Sequence, residues 1–569
     1  MTACSLPTHP VPDSVKIKIV AFNDFHGHLE SPGSLGQSPV GGIEWLAGYV
    51  SHLKRQNPNT LVVSAGDLIG ASPLLSAMFH DEGTIEAMNR LGLDFNAVGN
   101  HEFDAGQDEL KRMQTGGCHA VYKSHSCRGA DVGTPVPFEG AGFQFLAANV
   151  IEESSGRTLF PAYAVKTVDG VRIGFIGMTL KDTPTVAAGA GLAGLTFQDE
   201  ATTANALVAE LRAQGVETIV LLIHQGGTVP DSISPENINQ CNDNLEGSPI
   251  SAIVKQLDAA IDLVISGHTH QAYICEIANR SGRSIPVTSA HSRGRLLTDI
   301  ELQISRSTGD ATGISASNLV VDRNSPVIVP NEALKTLVTH YKAIATPLAN
   351  RIVGTIAASI STVENEAGES ALGDLTADAR LAATAGDAFG PAAIAFINPG
   401  AIRADLIYES GPDGEGEGNV TYAEAFTMHP FADRLVTLTL TGAQIHTLLE
   451  QQFQGCTEAY PKDAPMAGQE VNRILQVSDG FGYTWREKGT PCDNVDPADI
   501  TINGVRMAPD ASYRVTVNDF LANGGDRFYI LQQGWNRSEG PTDLEALEHY
   551  LQSHPRLKPG PRGRIKLKH

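Results

Sequence analysis

Short apolar runs that end in polar, chemistry-bearing residues recur through the first half of the chain. "VKIKIVAFNDFHGH" opens the series, and "NTLVVSAGDLIG", "LGLDFNAVGNHEFD", "VETIVLLIHQGG" and "AAIDLVISGHTHQ" continue it. Each run is β-branched and is followed by a polar loop and a helical stretch, the alternation expected of a layered α/β domain. "GVRIGFIGMT" and "LLTDIELQI" read as strands without a polar tip. A strand in this chain therefore has no intrinsic need of a terminal His or Asp.

Near residue 325 the pattern changes. "DRNSPVIVPNEALKTLVTHYKAIATPLANRIVG" sets Leu334, Leu337, Val338 and Tyr341 at helical spacing behind a Pro-flanked start, which predicts a linking helix over 326–350. Residues 16–325 then form the first domain and 351–550 a second one, with polar loops at "NPGAIRADL", "HPFADRL" and "NDFLANGGDRF". "ESGPDGEGEGN" reads as a surface loop. Residues 1–15 read as a processed or tethering segment, and 551–569, ending "RLKPGPRGRIKLKH", as a solvated basic tail.

Composition narrows the function classes. At 569 residues the chain exceeds one core. A net charge of -23 argues against a polymeric nucleic-acid partner, whose phosphates need Lys and Arg. A small anionic substrate remains compatible if cations offset the field. No apolar run approaches a membrane span. The seven cysteines form no CxxC pair. Six fall into neighbouring couples, 118 with 127, 241 with 275 and 456 with 492, read as three disulfides of an oxidising compartment, with reduced buried cysteines as the alternative. Cys4, in "MTACS", has no apolar signal region before it; the expectation is a processed, exported monomer, periplasmic or surface-attached, with Cys4 a candidate for lipidation.

The strand tips collect Asp24, His26 and His28; Asp67; Asn100, His101 and Asp104; His224; and His268 with His270. Carboxyl ends of parallel strands share one edge, where ligands bind. Imidazole, carboxylate and amide donors suit Zn, Mn, Fe or Co. In extended chain, residues i and i+2 point the same way, so Asp24 with His26, and His268 with His270, are each expected to converge on one centre. Any one of these residues alone reads as a local cap. Five strand ends in order do not.

That order, Asp-x-His, Gly-Asp, Gly-Asn-His-Glu-x-Asp, His, Gly-His-x-His, resembles the calcineurin-like metallophosphoesterase family over residues 16 to 304. With "ALGDLTADA", "NPGAIRADL", "HPFADRL" and "FLANGGDRF", the whole chain is similar to the secreted bacterial 5′-nucleotidase/UDP-sugar hydrolase branch. The resemblance implies an α/β protein: an N-terminal four-layer αββα metallophosphoesterase domain joined by a linking helix to a C-terminal α+β substrate-binding domain. It implies two divalent ions (Zn, Mn, Co or Fe) bridged by Asp67, one also held by Asp24, His26 and His270, the other by Asn100, His224 and His268. His101 would face substrate with Asp104 orienting its ring, while His28 and Glu102 support the loops. Phe431 and Phe520 would sandwich a base, Asp526 bind ribose and Arg403 phosphate, with Asn398 and Gly480 lining the base site; without the flanking motifs both Phe residues would read as core.

The implied activity is removal of phosphate from nucleotides, extending to nucleoside di- and triphosphates and UDP-sugars, by attack of a metal-bound hydroxide. The competing readings are a 2′,3′-cyclic nucleotide 2′-phosphodiesterase/3′-nucleotidase, a thiosulfohydrolase and a non-catalytic nucleotide-binding surface protein. A rotation of the second domain is also implied, with the bend expected at "LANRIVG" and Gly354 absorbing it. Three departures bear on the substrate: Pro399 and Ala401 where the branch usually has Gly, Ala432 after Phe431, and the acidic "STVENEAGES" where it carries arginines.

Overall fold

The apolar runs become strands of two mixed six-stranded sheets. The computed structural model describes residues 13–569 apart from 122, 188, 230–233, 387–389, 412–413, 432, 454–455, 457–472 and 491; the expectations for Cys4 and Ala432 lie outside them. The first sheet runs Ala311–Val320, Leu296–Ser305, Ser14–Phe22, Thr60–Ser64, Phe95–Ala97, Gln144–Leu146. The second runs Ala272–Ala278, Ser284–Ala290, Ile261–Ser266, Thr218–Ile223, Val171–Met178, Tyr163–Val168. Ser14–Phe22 shows why these runs are so continuously apolar, because both its faces are covered. Ile17, Ile19 and Ala21 share a core with Phe175, Val220, Leu222 and Ile265 of the second sheet. Val20 and Phe22 share another with Leu46 and Val50 of the helix Ile43–Gln56. Burying each such aliphatic or aromatic side chain contributes about 1.5–3 kcal/mol.

The five polar-tipped runs are all strands, but they do not share one sheet edge. Ser14–Phe22, Thr60–Ser64 and Phe95–Ala97 pair in parallel in the first sheet, Thr218–Ile223 and Ile261–Ser266 in the second. Their tips meet because the two sheets share a core and present carboxyl ends on the same side.

The predicted linking helix is Glu332–Ala349, capped by Asn331, whose side chain accepts from the Ala333 and Leu334 N–H groups. It buries Leu334, Leu337, Tyr341 and Ala345 against the first domain. Tyr341 donates its hydroxyl to Glu86 Oε1 at 2.9 Å, and its ring centroid lies 4.8 Å from that of Phe79. Gly354 is not a conformational outlier. It lies in the strand Ile352–Thr355, where a Cβ would stand 2.4 Å from the Leu551 Cβ, so close approach is itself a reason for the glycine.

The second domain is built on a five-stranded sheet, Gln476–Val477, Ile394–Ile397, Ser512–Asn518, Arg434–Thr441, Trp535–Thr542. Leu372 and Leu375 of the helix Ala371–Thr384 share one core with Leu544, Leu547 and Leu551 of Asp543–Ser553. Ile445 and Leu448 of Gly442–Glu450 share another with Leu438 and Val515. The basic end is no solvated tail. Ile565–Lys568 pairs in parallel with Tyr483–Arg486, Ile565 is buried, and Arg564 forks onto Asp378 at 2.7 and 2.9 Å. Its charges hid an alternating strand.

Disulfides join Cys118 to Cys127, Cys241 to Cys275 and Cys456 to Cys492, the three expected couples. Among the described residues no helix is long and apolar enough to cross a membrane.

Candidate two-metal active site

Strand ends hand the chain into left-handed turns at the site. Ser14–Phe22 stops two residues before Asp24, and Asp24, His26, Asp67, His268 and His270 have φ of 50, 48, 51, 73 and 55°. Such backbone is costly for non-glycine residues and concentrates where function requires it. The turns, not an extended i, i+2 geometry, set the side chains. Asp24 and His26 do converge, together with His270; His268 joins Asp67 and His224 instead. The expected convergence of His268 with His270 is therefore replaced by divergence onto two neighbouring centres.

Asp67 lies between the two groups. Its Oδ2 is 2.9 Å from His224 Nε2 and 3.7 Å from His26 Nε2, and its Oδ1 accepts the His101 N–H at 2.9 Å. His270 Nε2 is 3.4 Å from Asp24 Oδ1 and 3.0 Å from His26 Nε2. His268 Nδ1 lies 3.0 Å from Asn100 Oδ1. Close packing of the turns requires glycine at Gly99, where a Cβ would stand 2.2 Å from Asp67 Oδ1.

The donors fit two divalent ions. His26 Nδ1–H donates to the Gly70 carbonyl at 2.9 Å and His224 Nδ1–H to the Ala65 carbonyl at 2.8 Å. A carbonyl only accepts, so each ring turns its other nitrogen, Nε2, toward Asp67, the outer-shell device that orients metal-binding histidines. His224 Nε2 is buried, with Asp67 Oδ2 at 2.9 Å as its neighbour. Burial pushes His26 down to about 3 and His268 to about 4. Burial also opposes a charge on His224, but the Asp67 carboxylate outweighs it and raises that ring to about 10. The same attraction is available to a cation.

The loop 99–104 divides its labour. Asn100 reaches His268, whereas His101 turns its Nδ1 to Asp104 Oδ1 and Oδ2 at 3.1 and 2.9 Å. Burial lowers the His101 pKa, and Asp104 and Asp67 more than compensate, so it is raised overall. Glu102 accepts from the N–H groups of Asp67, Leu68 and Gly99 at 3.0, 2.8 and 2.7 Å and from Asn96 at 3.1 Å. It is a buried strut for both loops. His28 is half-buried, with burial and the nearby Arg293 holding its pKa low.

The second domain reaches this centre. The Phe431 ring stacks over His101 at 5.9 Å and 18°, and the Arg403 guanidinium lies 5.4 Å from the Phe431 centroid. Asn398 donates to Asp526 Oδ2 and Arg473 to Oδ1, each at 2.7 Å. Phe520 packs on the Gly525 turn beside Asp526, its ring 2.6 Å from where a Gly525 Cβ would be. Gly480, with φ of 83°, turns against Asn503. Arg527 donates to Asp182 of the first domain at 2.9 Å.

Sequence reasoning missed three arginines here, Arg473, Arg527 and Arg293. Arg293 donates its N–H to the Asp24 carbonyl at 2.7 Å, and burial, then the Arg403 charge, lowers its pKa. A signal for it existed: "IPVTSAHSRGR" is one more apolar run with a polar tip, on the strand Ser284–Ala290. Arg473 had none.

Family models match this architecture in two pieces: "Calcineurin-like phosphoesterase" over residues 17–272 and "5'-nucleotidase, C-terminal domain" over 352–533. The chain belongs to the calcineurin-like phosphoesterases with a C-terminal 5′-nucleotidase domain. The chain is 29% identical over 565 residues to Endonuclease YhcR of Bacillus subtilis, an alignment covering 98% of this chain but only 41% of that protein. It is 28% identical over 568 residues to the cell wall protein Lmo0130 of Listeria monocytogenes, covering 95% of this chain and 67% of that one. The crystal structure of a 5′-nucleotidase precursor from Thermus thermophilus superposes with a TM-score of 0.72 at 25% identity, over 97% of this chain and 99% of that chain. A fold of the phosphoesterase family thus carries two adjoining clusters of candidate metal-binding residues.

Proposed function

We propose that this phosphoesterase is a 5′-nucleotidase that removes phosphate from nucleoside 5′-phosphates, with nucleoside di- and triphosphates and UDP-sugars within its range. The observation that carries the reading is the stack of Phe431 on His101: an aromatic ring of the second domain lies at the edge of the Asp67 centre, where a base-bearing phosphate ester has both ends to hold. The similarity to a 5′-nucleotidase precursor structure supports it.

Asp24, His26 and His270 would hold one ion, Asn100, His224 and His268 the other, and Asp67 both. When bound, the two ions supply Lewis acidity and a water of lowered pKa at neutral pH. The chain's own residues do the rest. Asp104 orients the His101 ring through Nδ1 and raises its pKa, leaving Nε2–H to donate to a phosphoryl or leaving-group oxygen. Arg403 meets phosphate charge. Phe431 and Phe520 stack the base, worth about 1–3 kcal/mol per base. Asp526, oriented by Asn398 and Arg473, accepts from ribose hydroxyls, and Gly480 borders the base site. Residues 16–325 and 351–550 are the two domains of this scheme. The first is a four-layer αββα unit, a reading supported by one core between its sheets and others on their outer faces.

Three disulfides and the likeness to a cell wall protein support a periplasmic or surface location. The relative named an endonuclease favours a second reading, hydrolysis of phosphodiesters such as 2′,3′-cyclic nucleotides. A panel of AMP, ATP, UDP-glucose, 2′,3′-cAMP, bis(p-nitrophenyl) phosphate and single-stranded DNA, with Mn or Zn added, decides between them. Turnover of AMP that a chelator abolishes and Mn, Co or Zn restores is the expected result; turnover of diesters alone overturns the first reading.

A further inference from the structure

A second set of nitrogen and oxygen donors lies among residues that the two-metal centre does not use. His80, Glu109 and His119 bring ligand atoms within 4.8 Å of one another, the spacing that also gathers each half of the catalytic centre. They arrive from three separate segments. His80 follows the helix Leu74–Ala77, Glu109 stands on Gln107–Thr115, and His119 follows Cys118 in the loop closed by the Cys118–Cys127 disulfide. We propose that His80, Glu109 and His119 form a third divalent-cation site, of zinc type with water completing the coordination, that ties the disulfide loop to the segment supporting His26.

The donor chemistry is that of a two-histidine, one-carboxylate zinc site. The two imidazoles stack with centroids 4.2 Å apart and planes 14° from parallel, so one ring tilts out of the stack for both nitrogen lone pairs to meet a single ion. Arg112 donates to Glu109 Oε1 and Oε2 at 2.6 and 2.8 Å, which orients the carboxylate and leaves a lone pair on each oxygen. Its charge is shared with Glu82, to which it donates at 2.7 Å, so two carboxylates face one guanidinium and the net charge favours a cation. The Val121 N–H donates to His119 Nδ1 at 3.2 Å, which leaves Nε2 facing Glu109 at 4.0 Å. A cation taken at Nε2 shifts the ring proton to Nδ1 and ends the Val121 contact. The proton balance is thus internal to the ring.

The coupling to the catalytic centre is short. His80 and Asp81 both have left-handed backbone, at φ of 54 and 57°. Asp81 Oδ1 accepts the Ser72 hydroxyl at 2.7 Å and stands 2.8 Å from where a Cβ on Gly27 would be. Gly70, two residues before Ser72, is the carbonyl that fixes the His26 tautomer. A cation on His80 restrains the residue next to Asp81, and through it the loop that aims His26.

The test is zinc stoichiometry on the chelator-stripped full chain, by competition with a chromophoric chelator and elemental analysis after gel filtration. Three equivalents are expected for the wild type and two for His80→Gln, His119→Ala and Glu109→Gln. The third equivalent should raise the melting temperature of the wild type and of none of the three. A His224→Ala/His268→Ala variant should retain the third ion, which separates this site from the catalytic one. Circular dichroism confirms folding of each variant, and three single variants at different positions guard against one failing to fold. A wild type saturating at two equivalents overturns the proposal, as does a third equivalent that persists in all three variants.

Discussion

His101 and Phe431 lie face to face across the domain boundary, 5.9 Å apart and 18° from parallel, although 330 positions separate them in the chain. A ring of the second domain thus covers a residue of the 99–104 loop that stands beside the two candidate metal clusters and belongs to neither.

His101→Ala should lower kcat by roughly 10²–10⁴-fold, the range for a positioned proton donor, while metal content stays at two in the catalytic centre. Elemental analysis beside steady-state kinetics checks it. Loss of an ion would make His101 a ligand.

Phe431→Ala and Phe520→Ala should each raise KM for a nucleotide by roughly 5–100-fold, the equivalent of about 1–3 kcal/mol of stacking. Hydrolysis of p-nitrophenyl phosphate should change far less. Equal losses on both substrates would show that the rings hold the fold.

Among the described residues no ion pair joins Arg293 or Arg403 to a carboxylate, and the two charges oppose one another. An anionic substrate relieves that repulsion. Arg293→Ala should therefore raise KM for phosphate esters by roughly 10–100-fold, consistent with about 1.5–3 kcal/mol for a hydrogen bond to a charged group, and weaken inhibition by inorganic phosphate in parallel. Unchanged phosphate inhibition would remove Arg293 from the anion site.

Burial, with Asp543 and Asp519 nearby, pushes the Asp433 carboxyl up to about 8. The native state then holds a proton that the unfolded chain releases near its ordinary pKa of about 3.9. Stability should fall as pH rises from about 4 toward 8. Asp433→Asn should flatten that dependence and be the more stable protein at pH 8. Urea midpoints at pH 5 and pH 8 measure it, and parallel curves for the two proteins would refute it.

Much of this was legible in the apolar pattern. The five polar-tipped runs, the two plain strands, the linking helix and the cysteine couples all follow from residue type and local period, which the fold preserves. What escaped depends on distant contacts or on backbone hand. Nothing local tells Thr60–Ser64 that it joins one sheet and Thr218–Ile223 another. His268 and His270 part because both sit in left-handed turns, where the extended-chain rule fails. The close approach of Leu551 to Gly354 could not be read locally, because that side chain is nearly two hundred positions away. The Arg564–Lys568 segment looked solvated because Asp378, which neutralises it, and the strand Phe481–Thr490, which pairs with it, are also far off in the chain.

The register of the first sheet sets a timetable. Ser14–Phe22 pairs on one side with Thr60–Ser64, but on the other Ser14 lies opposite Ser305. During synthesis or export, Ser14–Phe22 precedes the other strands of its sheet and keeps one edge open until nearly three hundred further residues have followed. Such long-range pairing slows folding, and an open strand edge invites association with other chains. The N-terminal domain can close only after the Leu296–Ser305 hairpin partner is out, shortly before the linking helix. Release from whatever shields the nascent or translocating chain is therefore tied to the arrival of Leu296–Ser305, ahead of the second domain.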